Sequence, residues 1–278
     1  GDNDVRLTIT WDGRAQPPEQ LYVGQALQIT ATLTVRETDA YRVHDALFEQ
    51  YLMPELQVDD CRYREYRGQN EYSTRYHFLS DAHKTAEGTL KTYTYTVTVI
   101  PTRAGRVGGR VAHEVPLVLD KGPDGDDPML RQWQRPAQRV VWLARGRELP
   151  AFDVAPLPPP PEGVYVTGLV GDFDLTLSLD AHQVRAQDGV ELTLAATGRG
   201  AVENLAAQPL ALPGFDVYKP RRRVTGMTGR ARLSWVCVPR STESQMPELA
   251  FAHFSIPQDE WRVLRQRPEL AVLPTDGA

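Results

Sequence analysis

The chain has 278 residues, of which 41% are hydrophobic, and it carries a net charge of −5 at neutral pH. This length suffices for two ordinary domains, each with its own buried core. The even, mildly acidic charge argues against nucleic acid as the main ligand. No apolar run approaches the roughly 20 residues that a membrane-spanning helix needs.

Alternating apolar and polar residues predict β-strands in the first half of the chain. Residues 5–11, 27–35 and 93–99 each repeat with period two, which is typical of a strand with one buried face. Residues 41–52 break this period with apolar pairs four residues apart. We therefore expect one or two helical turns there, ended by Pro54.

The rest of the first half is less regular. Residues 59–90 are polar and rich in tyrosine, and they predict a hairpin with long connections. Residues 111–117 predict the next strand, and residues 139–143 predict a closing strand. Between them, residues 120–136 form a glycine- and acid-rich excursion that carries Trp133.

A proline run at residues 156–161 marks a domain boundary. Consecutive prolines fix φ and lack a backbone donor, so this segment can join neither a sheet nor a helix and should form a stiff spacer. We therefore predict a first domain at residues 1–150, a linker at residues 151–163 and a second domain at residues 164–278.

The two sides of the proline run repeat the same features in the same order. The matched segments are 24–33 with 189–196, 53–58 with 212–217, 97–103 with 235–240, and 111–115 with 251–255. In the second half, strands are predicted at 173–179, 190–196, 215–218, 233–237, 249–254 and 270–273. Short strands between glycine and proline turns predict an all-β fold with two immunoglobulin-like antiparallel β-sandwich domains.

The sequence contains no recognisable catalytic, metal-binding or cofactor-binding motif. The six histidines show neither HxH nor HExxH spacing. His113 and His253 lie on matching strands of the repeat, and a duplicated structural position explains them more simply than a ligand in each domain. Cys61 and Cys237 lack CxxC partners and predict free, buried thiols. The acidic run at residues 124–127 lacks the later ligands of a calcium loop, so we interpret it as a solvated turn.

Two groups of residues are candidates for an interaction surface. The first is aromatic and comes from the irregular part of the first half, and the second is the one basic cluster of the chain. The aromatic candidates are Trp133, Tyr63, Tyr66, Tyr72 and Tyr76, and the basic candidates are Lys219, Arg221, Arg222 and Arg223. Satellite packing for the tyrosines and a solvated loop for the basic cluster are the competing interpretations.

Three function classes remain open at this point. The first is a non-catalytic interaction protein. The second is a carbohydrate- or polymer-binding module that would use Trp133, Trp11 or the tyrosines as a stacking platform. The third is a hydrolase, for which no nucleophile and base are suitably spaced. We rank them in this order and expect no enzymatic activity.

Five segments of the second half resemble one known family in their order and spacing. They are TGLVGDF (167–173), GVELTL (189–194), GRG (198–200), LPGFDVY (212–218) and VPRS (238–241). They look like the BatD-type oxygen-tolerance (aerotolerance) family. The first half is similar more loosely, through residues 24–25 and 95–105. Where such families have Phe-Ser-Tyr-Phe, this chain has Phe-Ala-His-Phe at residues 251–254.

The resemblance implies an exported bacterial protein on the periplasmic side of the inner membrane. Such a protein would have a signal peptide before residue 1 and a membrane anchor after residue 278. Members of the family are associated with von Willebrand A-domain proteins and a MoxR-type AAA+ ATPase, and they have no established catalytic residues. Their role is thought to lie in envelope stress or oxygen tolerance.

Overall fold

The computed structural model describes residues 4–51, 54–67, 73–120 and 138–275. Within these ranges the chain is nearly all β, which confirms the expected all-β class. The residues form two compact units, and the second includes two short earlier segments, Tyr22–Ala26 and Ile100–Ala104, together with Ala155–Ala278. None of the helices in the described ranges is long and apolar enough to cross a bilayer.

The elements before the proline run include one short helix, α1, at Asp45–Tyr51, where helical turns were expected. The strands are β1 (Val5–Trp11), β2 (Gln20–Tyr22), β3 (Leu27–Glu37), β4 (Tyr41–Val43), β5 (Glu55–Val58), β6 (Cys61–Tyr63), β7 (Tyr66–Arg67), β8 (Ser73–Thr74), β9 (His77–Thr85), β10 (Gly88–Pro101), β11 (Gly105–Asp120) and β12 (Gln138–Ala155).

Two five-stranded sheets make up most of the first unit. One has the order β1-β3-β10-β6, with β9 also paired to β10, and the other has the order β2-β12-β11-β4, with β5 also paired to β11. Tyr95 on β10 and His113 on β11 connect the two inner faces, because the Tyr95 hydroxyl lies 3.2 Å from His113 Nε2. The strand residues that alternate inward, such as Ile29, Leu33 and Val97, are fully buried.

The β9–β10 hairpin depends on a glycine in its turn. Gly88 has φ of +130°, and a Cβ added there would collide with the backbone carbonyl oxygen of Glu37. Only glycine therefore fits this close approach of the turn to β3. From the turn onward, β9 and β10 pair without interruption. The ladder begins with Thr85 opposite Gly88 and ends with His77 opposite Thr96.

The second unit begins its own strand sequence after the prolines. Its strands are β13 (Tyr165–Leu179), β14 (Gln183–Arg185), β15 (Val190–Gly200), β16 (Phe215–Val217), β17 (Arg221–Thr225), β18 (Arg230–Pro239), β19 (Leu249–Ser255), β20 (Glu260–Gln266) and β21 (Ala271–Leu273). Two single-turn 3₁₀ helices lie at Val202–Asn204 and Gly226–Thr228.

A seven-stranded sheet dominates the second unit. Its order is β16-β18-β15-β13-β19-β20, with β17 also paired to β18. Leu192, Leu233, Trp235 and Phe251 are fully buried and form the centre of the core on its inner face. The sheet is not purely antiparallel as expected, because β13 pairs with β19 in parallel. These strands are far apart in the sequence, so no tight hairpin imposes an antiparallel direction on them.

The four repeated segments fall on strands in both units. The pair β3 and β10 corresponds in sequence to the pair β15 and β18, and both pairs are antiparallel neighbours. The match of residues 53–58 with 212–217 differs, because β5 joins β11 whereas β16 joins β18. The repeat is therefore visible in the strands, although one matched strand has a different neighbour in each unit.

The segment without strand structure, residues 156–164, is shorter than the predicted linker at residues 151–163. β12 continues to Ala155, and its ladder with β11 still pairs Phe152 with Val107 and Val154 with Gly105. Residues 151–155 therefore belong to the sheet, in which Phe152 and Val154 are buried. Strand structure stops at the first proline, Pro156, and resumes at Tyr165.

Candidate functional site

The three described tyrosine candidates, Tyr63, Tyr66 and Tyr76, do not form an exposed aromatic patch. Tyr76 is buried, and its hydroxyl donates a hydrogen bond of 2.7 Å to the Pro54 carbonyl. Tyr63 is partly buried, which raises the pKa of its hydroxyl, and this hydroxyl accepts the Val58 N–H at 2.8 Å. The hydroxyls of both tyrosines are therefore bonded to the backbone of the first unit. The sequence left exposure and satellite packing open, because tyrosine occurs both in polar loops and at the edges of cores.

Tyr66 is also partly buried, and its hydroxyl lies 2.9 Å from the Thr98 hydroxyl on β10. Trp133 and Tyr72 lie outside the described residues. Trp11, which the polymer-binding hypothesis would place on a stacking platform, is only 1% exposed. A ring buried to that extent cannot stack on a ligand.

A different part of the first unit is exposed, namely the edge strand β9. All nine residues of β9 are exposed, including Phe78 at 41% and Leu79 at 59%. β9 pairs with β10 on one side, and no strand of the described residues pairs with its other side. An edge strand of this length presents a row of unpaired backbone donors and acceptors that can bind another extended chain.

A pocket lies beside this edge. Phe78 is opposite Tyr95 and Ser80 is opposite Tyr93 in the ladder, so alternate β9 side chains share a face with the inward rings of β10. The pocket has a volume of about 360 Å³. Its lining residues are Asp45, Phe48, Phe78, Ser80, Asp81, Ala82, Lys91 and Tyr93.

The pocket combines aromatic walls with a charged rim. The rings of Phe48 and Tyr93 lie 4.0 Å apart at their centroids. At the rim, Lys91 Nζ lies 2.7 Å from Asp45 and 2.9 Å from Glu37. The Tyr93 hydroxyl is buried and makes no hydrogen bond with any described residue, and burial raises its pKa. The pocket can therefore accept an apolar or aromatic side chain that carries a polar group.

The three arginines of the basic cluster lie on strand β17, which separates them between its two faces. Arg222 donates to the backbone carbonyls of Leu205, at 2.8 Å, and Glu203. It therefore holds the chain around the Val202–Asn204 turn. Arg221 and Arg223 lie on the opposite face of β17 because side chains alternate along a strand. Lys219 is exposed and precedes the strand.

The outward face of β17 continues onto its neighbours. Arg223 is directly opposite Arg232 on β18, and Thr225 is opposite Arg230. Arg230 and Arg232 were missed at the sequence level. They alternate with the buried residues Ala231, Leu233 and Trp235, so the same period that predicted the core could have shown that they face outward.

The two matched histidines are buried, as expected of structural positions. His113 is 3% exposed and His253 is 7% exposed. Burial lowers the pKa of both imidazoles. His253 Nδ1 has no hydrogen-bond partner among the described residues. Within those residues, no group of three or more histidine, cysteine or acidic side chains could hold a metal ion.

The cysteines are free thiols, but only Cys237 is fully buried. Cys61 is partly exposed. Burial raises the pKa of the Cys61 thiol to about 12 and that of Cys237 to about 11. Both thiols are therefore protonated and weakly nucleophilic near neutral pH.

The comparisons with known proteins place few constraints on function. No family model and no curated protein matches the chain. Among solved structures, it is similar to the adhesin InvE of Yersinia pseudotuberculosis, at 12% sequence identity and a TM-score of 0.28. That match covers 96% of this chain and 59% of the adhesin chain, so this chain spans less than two thirds of the adhesin. At this TM-score the similarity does not bear on function.

Proposed function

We propose that the protein is a non-catalytic interaction protein of the bacterial envelope, similar to the BatD-type oxygen-tolerance family. In this proposal it is exported and membrane-anchored on the periplasmic side of the inner membrane. Its partners are von Willebrand A-domain proteins that work with a MoxR-type AAA+ ATPase. The domains are two immunoglobulin-like β-sandwiches, residues 1–150 and 164–278, joined by the proline-rich segment.

The observation that carries this proposal is the exposed edge strand β9. A partner strand added to β9 would gain backbone hydrogen bonds along as many as nine residues. It would also place alternate side chains beside Phe78 and Ser80, above the pocket that Phe48 and Tyr93 line. Backbone pairing supplies affinity in such complexes, and the pocket supplies selectivity for one side chain of the partner.

Site-specific photo-crosslinking tests the contact directly. A photoreactive amino acid is placed at Leu79 on β9 or, as the control, at Tyr218, which is 62% exposed in the second unit. The full chain is then irradiated in envelope membranes of the organism that carries its gene. We expect an adduct with a von Willebrand A-domain protein from position 79 and none from position 218.

Binding of the purified partner domain provides the quantitative measurement. Phe78→Ala removes one wall of the pocket and should weaken binding about tenfold or more. Tyr218→Ala removes an exposed ring in the second unit, 62% exposed against 41% for Phe78, and should leave the affinity unchanged. Equal affinities for the two variants, together with no adduct at position 79, would rule out β9 as the docking site.

A further inference from the structure

Four arginines share one outward face of the second unit. Arg221 and Arg223 come from β17, and Arg230 and Arg232 come from β18. The inward neighbours on β18 are buried, so the arginines have no alternative orientation toward the core. Glu191 on β15 reaches the end of this group, where it pairs with Arg221 at 3.3 Å. We call these four residues the arginine face.

The arginine face contains an unfavourable charge arrangement. Arg223 and Arg232 are directly opposite in the ladder, which places their Cβ atoms about 5 Å apart. Like charges at such positions repel each other. Neither residue, nor Arg230, makes an ion pair with any residue that the structure describes. The protein as a whole is acidic, so this concentration of positive charge is local.

Two grooves meet between Arg223 and Arg232. One, of about 240 Å³, is lined by Glu191, Thr193, Arg221, Arg223, Arg232 and Ser234. The other, of about 440 Å³, is lined by Ala195, Ala196, Thr197, Arg223, Thr225, Arg230, Ala231 and Arg232. The side-chain hydroxyls of Thr193 and Ser234 make no hydrogen bond within the described residues. The grooves therefore offer guanidinium and hydroxyl donors over a floor of small side chains.

The spacing of these donors matches an extended peptide. Arg230 and Arg232 are two residues apart on one strand, which separates them by about 6.6 Å. Acidic side chains on one face of an extended peptide repeat at the same distance. Neither groove is lined by an aromatic ring, which a flat sugar platform would use.

We propose that the arginine face binds an extended acidic segment of a protein partner, with carboxylates at alternate positions bridging Arg223 and Arg232. A carboxylate between these guanidinium groups converts their repulsion into two charge-assisted hydrogen bonds. Arg221 and Arg230 bind the flanking carboxylates. The site lies in the second unit, and it goes beyond the proposed function because it does not depend on β9.

A synthetic peptide of alternating glutamate and threonine is the probe, and the same peptide with glutamine in place of glutamate is its control. The full 278-residue chain should bind the glutamate peptide and not the glutamine peptide, and binding should weaken as the salt concentration rises. The double substitution Arg223→Gln/Arg232→Gln should weaken binding about tenfold or more. Phe78→Ala should leave it unchanged, which separates this site from the β9 site.

A matched control removes the same charge from a different place. Arg262→Gln/Arg267→Gln alters β20 and the residue that follows it, at the opposite edge of the sheet, and should retain the wild-type affinity. The Arg223/Arg232 variant should melt no lower than wild type, because it relieves a repulsion without opening the core. Loss of binding would then not reflect unfolding.

Three results with the peptides would overturn the proposal. They are no binding of the glutamate peptide by the wild-type chain, equal loss in the two double variants, and equal binding of the glutamine peptide. Heparin and phosphatidylglycerol vesicles serve as competitors of other chemical classes. If either bound more tightly than the peptide and lost affinity in the Arg223/Arg232 variant, the site would belong to a glycan or a membrane surface.

Discussion

Replacing Gly88 by alanine should destabilise the first unit more than a typical surface substitution does. An L-residue at φ of +130° is strained, at a cost of about 1–3 kcal/mol. The added Cβ would also collide with the Glu37 carbonyl oxygen, which belongs to β3. Since neither group is the flexible end of a side chain, the backbone itself must move.

The free-energy cost of that backbone movement depends on the two contacts that the Glu37 side chain makes. Its side chain accepts the Val43 N–H at 2.9 Å and lies 2.9 Å from Lys91 Nζ. Loosening both contacts should cost about 2 kcal/mol in addition to the backbone strain. We therefore expect Gly88→Ala to lower the free energy of unfolding by about 3–5 kcal/mol.

Gly105→Ala is the matched control for this prediction. Gly105 has φ of +135°, close to that of Gly88, but a Cβ added there would meet nothing within 4 Å. Gly105→Ala introduces the backbone strain alone, so it should lose about 1–3 kcal/mol, which is about 2 kcal/mol less than Gly88→Ala. Urea unfolding followed by circular dichroism measures both losses. If the two variants lost the same free energy, the argument from the Glu37 contact would be refuted.

Three further predictions concern residues singled out by the sequence. Arg222→Gln should cost about 1–2 kcal/mol of unfolding free energy in urea titrations, because it removes two bonds to backbone carbonyls, whereas Arg223→Gln should cost nothing. Burial lowers the pKa of His113 and His253 below 6.5, so the unfolded chain binds protons first. The unfolding free energy should therefore fall as the pH drops below about 6.5 and should be flatter in a His113→Gln variant. The Cys237 thiol should resist iodoacetamide in the native protein and react in urea, and rapid native alkylation detected by mass spectrometry would contradict its burial.

The sequence predicted those elements whose pattern depends on local spacing. Period-two alternation identified β3, β10 and β18, and apolar pairs four residues apart identified α1. β9 was not located, because none of its residues is buried and an exposed strand has no apolar alternation. β12 was predicted only at residues 139–143, and its continuation was missed because most of residues 144–148 are exposed and show no apolar alternation.

The candidate sites were only partly predictable. The run Arg221 to Arg223 was visible as a basic cluster, but its division between two faces required the strand assignment. Tyr63 and Tyr76 were plausible surface residues until their hydroxyl partners were known. Exposure of a tyrosine depends on what packs against it, and residues distant in the sequence determine that.

The sequence alone determined that this chain is built from strands, because alternation and turn residues act over a few neighbouring positions. It also determined where strand structure must stop, since prolines at residues 156–161 cannot donate to a ladder. Only the tertiary structure decided which strand became an edge and which arginines came together. β9 is exposed because of its place in the sheet order, and Arg223 meets Arg232 because of the register between β17 and β18. Sheet order and register depend on pairing between distant segments, which local patterns do not specify.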